Sequence, residues 1–343
     1  MASMHALVPP LRHRATVIVG VMLACAVATL LFAGMTGSIP VPLGEIPDAL
    51  RQLAGGQAQS LSASLLELRA SRALVAFATG GALALAGLMM QALLRNPLAD
   101  PYVLGISTGS SVGALLALML MASTLVVDAA ALAGAIGIST LLYLLARRDM
   151  RSGQAAEGGT SMLLLTGVIL SSLCGALVTL MLSIAPEGRL RSMIFWLIGD
   201  LAGAPLRLAP WLVLIGALAY AMRNARAMNV VALHAENAST LGVRVGALRK
   251  GLFFVSALLT ASAVTSAGSI GFVGLIVPHA CRFAFGPDHR VLIPVAVLAG
   301  GGFLVLCDTL ARTVIAPMQL PVGAITAMIG APVFLWQLHR LRK

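Results

Sequence analysis

Few residues of this chain have types and spacing suited to chemistry. Two ionisable side chains, His279 and Asp308, stand inside long apolar stretches. A lone histidine at membrane depth suits ligand binding or a proton relay. A hydrogen-bonded structural histidine is the plainer reading. Asp308 has Arg312 one turn on, and an i, i+4 ion pair is the simplest account of both. No Ser/His/Asp set, no His-Glu-x-x-His and no carboxylate pair stands at suitable depth, which excludes an intramembrane enzyme. An ion-coupled transporter would need intramembrane acids or a broken-helix ion site, and two isolated groups support that thinly. A phosphate-cradling loop needs Gly-x-x-x-x-Gly-Lys-Ser/Thr, and the two lysines, Lys250 and Lys343, stand in no such pattern. ATP hydrolysis, if used, must therefore reside on another polypeptide. Cys25, Cys174, Cys281 and Cys307 share no metal-ligand or disulfide spacing and read as small buried residues. No metal and no cofactor is expected on this chain.

The elements that must position these groups are transmembrane helices. Only 10% of the 343 residues are charged, and they are clustered. Between the clusters lie uncharged windows such as Ala15–Gly44, Ala73–Leu94, Pro101–Val127 and Gly158–Pro186. About 20 apolar residues cross a ~30 Å hydrocarbon layer as a helix. A soluble amphipathic helix would carry charge every turn or two. With 59% hydrophobic residues and a mean hydropathy of +0.96, little is left for a soluble domain. The expected fold is an all-α integral membrane protein with about ten spans near 15–36, 73–95, 102–123, 128–146, 160–184, 208–222, 250–269, 271–285, 291–310 and 320–338. Some of these are short or interrupted, because Ala267-Gly268-Ser269-Ile270-Gly271 breaks a 31-residue window. A cytoplasmic tail, 1–14, precedes a single transmembrane domain, 15–343. The basic start resembles a signal peptide, but the long apolar run with no clear small-x-small site favours a retained first helix.

Ten spans put both ends on one side. With the N-terminus inside, the inner side holds sixteen of the 23 Lys and Arg residues and the outer side seven, which supports an N-in, C-in orientation. This asymmetry also accounts for the net charge of +11. No basic stripe interleaved with aromatics suggests nucleic acid. Every outer cation is arginine, the side chain suited to paired carboxylate recognition. Arg69, Arg72 and Arg312 fall at outer helix ends, where arginine is commonly a snorkelling anchor. Asn96-Pro97-Leu98-Ala99-Asp100-Pro101 joins two spans, and its prolines and Asx residues force a fixed turn. The inner segment Ala232–Gly246 is polar and bounded by spans, as an ordinary cytoplasmic loop would be.

Several segments together carry a resemblance. Leu68-Arg69-Ala70-Ser71-Arg72 is followed by Gly80-Gly81-Ala82-Leu83-Ala84-Leu85-Ala86-Gly87 and by Asn96-Pro97-Leu98-Ala99-Asp100-Pro101. Further on stand Gly271-Phe272-Val273-Gly274-Leu275-Ile276-Val277-Pro278-His279, Asp288-His289-Arg290 and Leu320-Pro321-Val322-Gly323. In this order they resemble the FecCD family, permease subunits of type II ABC importers for ferric siderophores, haem and cobalamin. The resemblance implies a ten-helix fold and a second copy of the permease around a central path. It implies two ATP-binding cassette ATPase subunits, a periplasmic substrate-binding protein and a bacterial inner-membrane location. It also implies that Arg69, Arg72 and Arg312 dock the binding protein. His234, Glu236, Asn237, Ser239, Thr240, Leu241, Gly242 and Arg244 would form the coupling loop that seats on the ATPase. Asn96, Pro97, Asp100 and Pro101 remain a structural elbow or a gate. The expected function is a transport subunit, not an enzyme. Ferric siderophore is the expected cargo on breadth of use in the family, with cobalamin and haem as alternatives.

Overall fold

The computed structural model describes residues 11–56, 58–151, 157–233 and 238–341. The first ten residues of the expected tail, and His234, Glu236 and Asn237, lie outside the described residues. Twelve α-helices appear among the described residues, and no strand. They are α1 Leu11–Met35, α2 Ile46–Ala54, α3 Leu61–Leu94, α4 Ile106–Met119, α5 Thr124–Arg151 and α6 Glu157–Ser183, followed by α7 Glu187–Ile198, α8 Leu208–Leu233, α9 Val245–Ala267, α10 Val273–Phe285, α11 His289–Thr313 and α12 Val322–Leu341. The ten apolar windows coincide with ten of these helices. Seven are long and apolar enough to cross a bilayer, and α4, α10 and most of α12 are shorter apolar helices. The remaining two, α2 and α7, lie in stretches that read as loops. Their apolar residues recur at helical spacing: Ile46, Ala49, Leu50 and Leu53 in one, Leu190, Met193 and Ile194 in the other.

The architecture is built around α3. Its 34 residues extend about 51 Å at 1.5 Å per residue, well beyond a ~30 Å hydrocarbon layer. Ser60 caps its start by accepting a hydrogen bond from the Ala63 N–H, and Arg95 ends it in the left-handed conformation at φ 49°. The expected span began at residue 73. The helix in fact begins twelve residues earlier, so Arg69 and Arg72 project from within it. Nearly all of its apolar window is buried, against about a tenth for α1. It packs on α11, α9, α10 and α1, while α1, α5, α6 and α8 present apolar side chains outward.

Small residues make this packing possible. A Cβ on Gly80 would fall 2.2 Å from the Gly300 carbonyl oxygen of α11, and one on Gly87 would fall 1.8 Å from the Gly274 carbonyl oxygen of α10. Both crossings are therefore backbone against backbone, as small-residue interfaces allow. Pro278 lies inside α10 and has no N–H to give the Gly274 carbonyl four residues back. That carbonyl faces Gly87 instead.

Candidate functional site

At the outer end, by the charge asymmetry, the three arginines line one cavity of about 390 Å³. Arg72 grips Asp308 bidentately, Nε at 2.9 and 3.0 Å and Nη2 at 2.8 Å, and its Nη1 donates to Gln319 Oε1 at 2.9 Å. Fork-to-fork geometry of this kind is among the stronger polar contacts. Arg312 comes second: its Nε stands 3.6 Å from Asp308 and makes no hydrogen bond, while Nη2 donates to the Ala33 carbonyl. The expected Asp308–Arg312 pair is therefore present but longer, and a tighter pair across helices α3 and α11 joins it. Arg69 donates to the carbonyls of Met35 and Ile39 and so fastens the segment after α1 to α3. Gly37 lets it pass, since a Cβ there would lie 2.5 Å from the guanidinium.

These arginines are not lipid anchors with free heads. Arg69 and Arg312 are only 6% and 7% exposed. Three guanidiniums and no carboxylate line the cavity, and Asp308 behind it pairs with Arg72 and Arg312, so the cavity is net cationic. Glu67 is exposed and does not line it. Asp308 is fully engaged, which removes it as a free ion-coupling group. Ala70 and Ser71 let the helix run unbroken through the arginine motif.

The elbow is a built structure. Asn96 Oδ1 accepts from the Leu98 N–H at 2.9 Å, and Asp100 Oδ1 caps the 3-10 turn Pro101–Leu104 through the Tyr102 N–H at 2.8 Å. Gly105, at φ +82°, then redirects the chain into α4. The elbow is tied to the break between α9 and α10. Tyr102 Oη accepts from the Ile270 N–H at 3.1 Å, and the Ser107 and Ser269 hydroxyls meet at 2.9 Å. The sequence reading did not single out Tyr102, although one of only three tyrosines within an apolar run was a usable signal. His279 is buried on α10, its ring edge-on to Phe334 with centroids 5.9 Å apart, and its Nδ1 has no hydrogen-bond partner. The hydrogen bond expected for it is not made at that atom.

At the inner end, the described part of the expected coupling loop is a tight turn over residues 238–242. Gly242 N–H bonds the Ser239 carbonyl at 3.1 Å, the Val243 N–H bonds the Ala238 carbonyl at 3.0 Å, and Gly242 takes φ +81°. Ala238 is buried, whereas Ser239, Thr240, Leu241, Gly242 and Arg244 are exposed. An exposed leucine at the tip of a polar turn is a natural contact point. Nearby, Asn229 of α8 donates to Asp288 between α10 and α11 at 2.7 Å, a link the sequence reading also missed. Burial raises the Asp288 carboxyl, but bonds from the Arg290 N–H and Asn229, with the charges of Arg290 and His289, outweigh it and hold the group below the usual carboxylate range.

An all-helical bundle of long apolar helices around a buried helix, with a cationic cavity at one end and an exposed turn at the other, is the frame of a multi-span membrane protein. The chain belongs to the FecCD transport family, whose model matches residues 21–340. The cobalamin import system permease of Halobacterium salinarum is 40% identical over 309 residues, 89% of this chain and 81% of that protein. The hemin transport system permease of Yersinia pestis is 39% identical over 287 residues, 81% of this chain and 84% of that protein. A solved structure described as an inward-facing metal-chelate type ABC transporter matches with a TM-score of 0.80 and 29% identity, over 95% of this chain and 99% of that one. The chain is a multi-span membrane permease of an ABC importer, a transport component and not an enzyme.

Proposed function

We propose that this chain is the permease of a bacterial inner-membrane importer for a metal-bearing macrocycle, cobalamin or haem. It works as two copies with two ATPase subunits and a periplasmic binding protein. The observation that carries this reading is the similarity, near 40% identity over at least four fifths of the chain, to a cobalamin and to a hemin permease. The macrocycle takes the place of the ferric siderophore expected from family breadth, because both relatives are named for macrocycles. The bundle supports the reading with an apolar interior: among the described residues no group of three metal-ligating side chains would trap the cargo. Weak sites let cargo leave as well as enter.

Arg69, Arg72 and Arg312 recognise carboxylates of the binding protein. Their burial makes this an insertion: an acidic side chain enters the cavity and meets the excess positive charge left beside Asp308. The test leaves the ion pair intact. Ser71 lines the same cavity and is half-buried. Ser71→Glu should weaken binding-protein affinity about tenfold or more, and Ser71→Lys should not, since like charges opposed across an interface are costly. The measurement is binding to the nanodisc-held transporter at low and high salt. Equal affinity for both variants would remove the docking role.

Residues 238–242 seat on the ATPase and transmit its motion. Replacing them with a Gly/Ser linker should leave the membrane fold intact while transport per ATP falls by an order of magnitude. Transport assays in proteoliposomes, with cyanocobalamin and haemin offered in turn, check both this effect and the cargo. Normal coupling with the linker in place would show that the contact lies elsewhere.

A further inference from the structure

The Asp288-His289-Arg290 motif has no part in the docking or coupling contacts, yet the structure gives it a specific partner. Asn229 lies one turn before the end of α8, the helix that runs into the coupling segment. Its amide bonds two consecutive residues at the start of α11. Asn229 Nδ2 donates to Asp288 Oδ1 at 2.7 Å. Asn229 Oδ1 accepts from the His289 N–H at 3.0 Å and faces His289 Nδ1 at 2.7 Å. Asp288 Oδ1 also accepts from the Arg290 N–H at 3.0 Å and so caps α11.

The network fixes every orientation. The amide oxygen must face the backbone donor, so His289 carries its proton on Nδ1 and donates it. His289 is 4% exposed and its Nε2 has no partner, so the ring is committed to this one contact. Only Gly286, Pro287 and Asp288 separate α10 from α11. A pull on Asp288 therefore moves both helices.

We propose that Asn229 is a positioning residue that carries movement of the coupling turn into the α10–α11 hairpin. This rests on the reading of the chain as an ATPase-coupled permease. The physical reason is the contrast between contact types. Apolar contacts between helix faces are non-directional and by themselves mark no particular pair of residues. A hydrogen-bond cluster anchored on a buried ring, here His289, fixes the register and resists sliding, although Asp288 itself is exposed. The moving hairpin includes α10, whose Gly274 lies against Gly87 of the central helix, and whose leading segment holds the elbow through Ile270 and Tyr102. A displacement at the inner end thus has a continuous route to the elbow.

The experiment compares Asn229→Asp with the exchanged pair N229D/D288N, each assembled with the ATPase and binding protein in proteoliposomes. The readout is cargo moved per ATP hydrolysed, with cyanocobalamin and haemin as the probes. Asn229→Asp sets two carboxylates against each other and removes the donor. Transport per ATP should fall about tenfold or more while hydrolysis stays within about twofold of wild type. In the exchanged pair, Asn at 288 donates to Asp at 229. The Asp at 229 still accepts both His289 donors, but Asp288 Oδ1 takes both the Asn229 and the Arg290 bonds, so the Asn at 288 that donates to position 229 gives up the Arg290 cap at that atom. Coupling should return to within about twofold of wild type. Should Asn229→Asp fail to assemble, Asn229→Ala removes the same bonds without the repulsion and should give the same loss of coupling. An unchanged ratio in the single variants, a proportional fall of hydrolysis and transport, or no recovery in the exchanged pair would each overturn the proposal. A wild-type chain that binds no ATPase subunit would instead overturn the proposed function, before any variant is compared.

Discussion

Asp308→Leu is expected to be among the most damaging single substitutions in this protein. It removes the carboxylate that Arg72 holds with two donors, and leaves Arg72 and Arg312 nearly buried with no counter-ion. Breaking one side of a buried pair costs about 3–5 kcal/mol, because the remaining charge stays desolvated. The melting temperature of the detergent-held permease should drop by roughly 5–10 °C, at a few degrees per kcal/mol for a large domain. The pair as a unit is less valuable than its halves suggest. A well-packed apolar replacement of both members is commonly neutral, so Arg72→Met with Asp308→Leu should recover much of the loss. If the single variant melts like wild type, the ion pair does not hold α3 to α11. If the double variant is worse than the single one, the arginine has a structural task apart from Asp308.

Gly87→Ala is the second large effect. One methyl group would fall 1.8 Å from the Gly274 carbonyl oxygen, where a backbone and not a flexible side chain must give way. Overpacking a tight core costs typically about 1–3 kcal/mol, and this crossing has no rotamer to adjust. The larger consequence is functional. Moving α10 away from α3 displaces the segment that holds Tyr102, so transport should fall at least tenfold even in molecules that fold. Gly137→Ala on α5 has nothing within 4 Å of its new methyl and is the matched control. Expression, melting temperature and uptake measured on both variants check the argument. Equal behaviour of the two would show that the crossing tolerates separation.

The ten apolar helices were legible because charge is excluded from a spanning segment, and that signal survives whatever the helix packs against. The start of α3 was not legible. Glu67, Arg69 and Arg72 break the apolar run, and a window defined by charge stops at Ala73, whereas the helix is set by backbone hydrogen bonding and a Ser60 cap. The amphipathic α2 and α7 were hidden for a related reason: polar composition reads as loop unless the period is counted. The three arginines could be singled out from their position and from the resemblance. Their mutual arrangement could not, because Asp308 lies more than 230 residues from Arg72, and no local pattern joins them. The Asn229 link likewise joins positions about 60 residues apart. The part of the coupling loop containing His234, Glu236 and Asn237 lies outside the described residues, so only its second half has a geometry to set beside the expectation.

The burial of α3 also constrains the order of assembly in the cell. Synthesis runs from the N-terminus, so α3 leaves the ribosome long before α9, α10 and α11, the helices that later enclose it. Until they arrive it must persist in lipid or beside the insertion machinery. Its hydropathy of 1.9 is that of a helix able to wait there, although its final surroundings are protein. Arg69 and Arg72 wait with it at the outer boundary, where long cationic side chains can reach water. The acceptors of Arg69, the Met35 and Ile39 carbonyls, are already present, so it is Arg72 whose provisional, hydrated charge Asp308 fixes when it enters with α11. The last long helix of the bundle thus serves as a latch, and a ribosome that stalls before it would leave an unlatched chain exposed to membrane proteases.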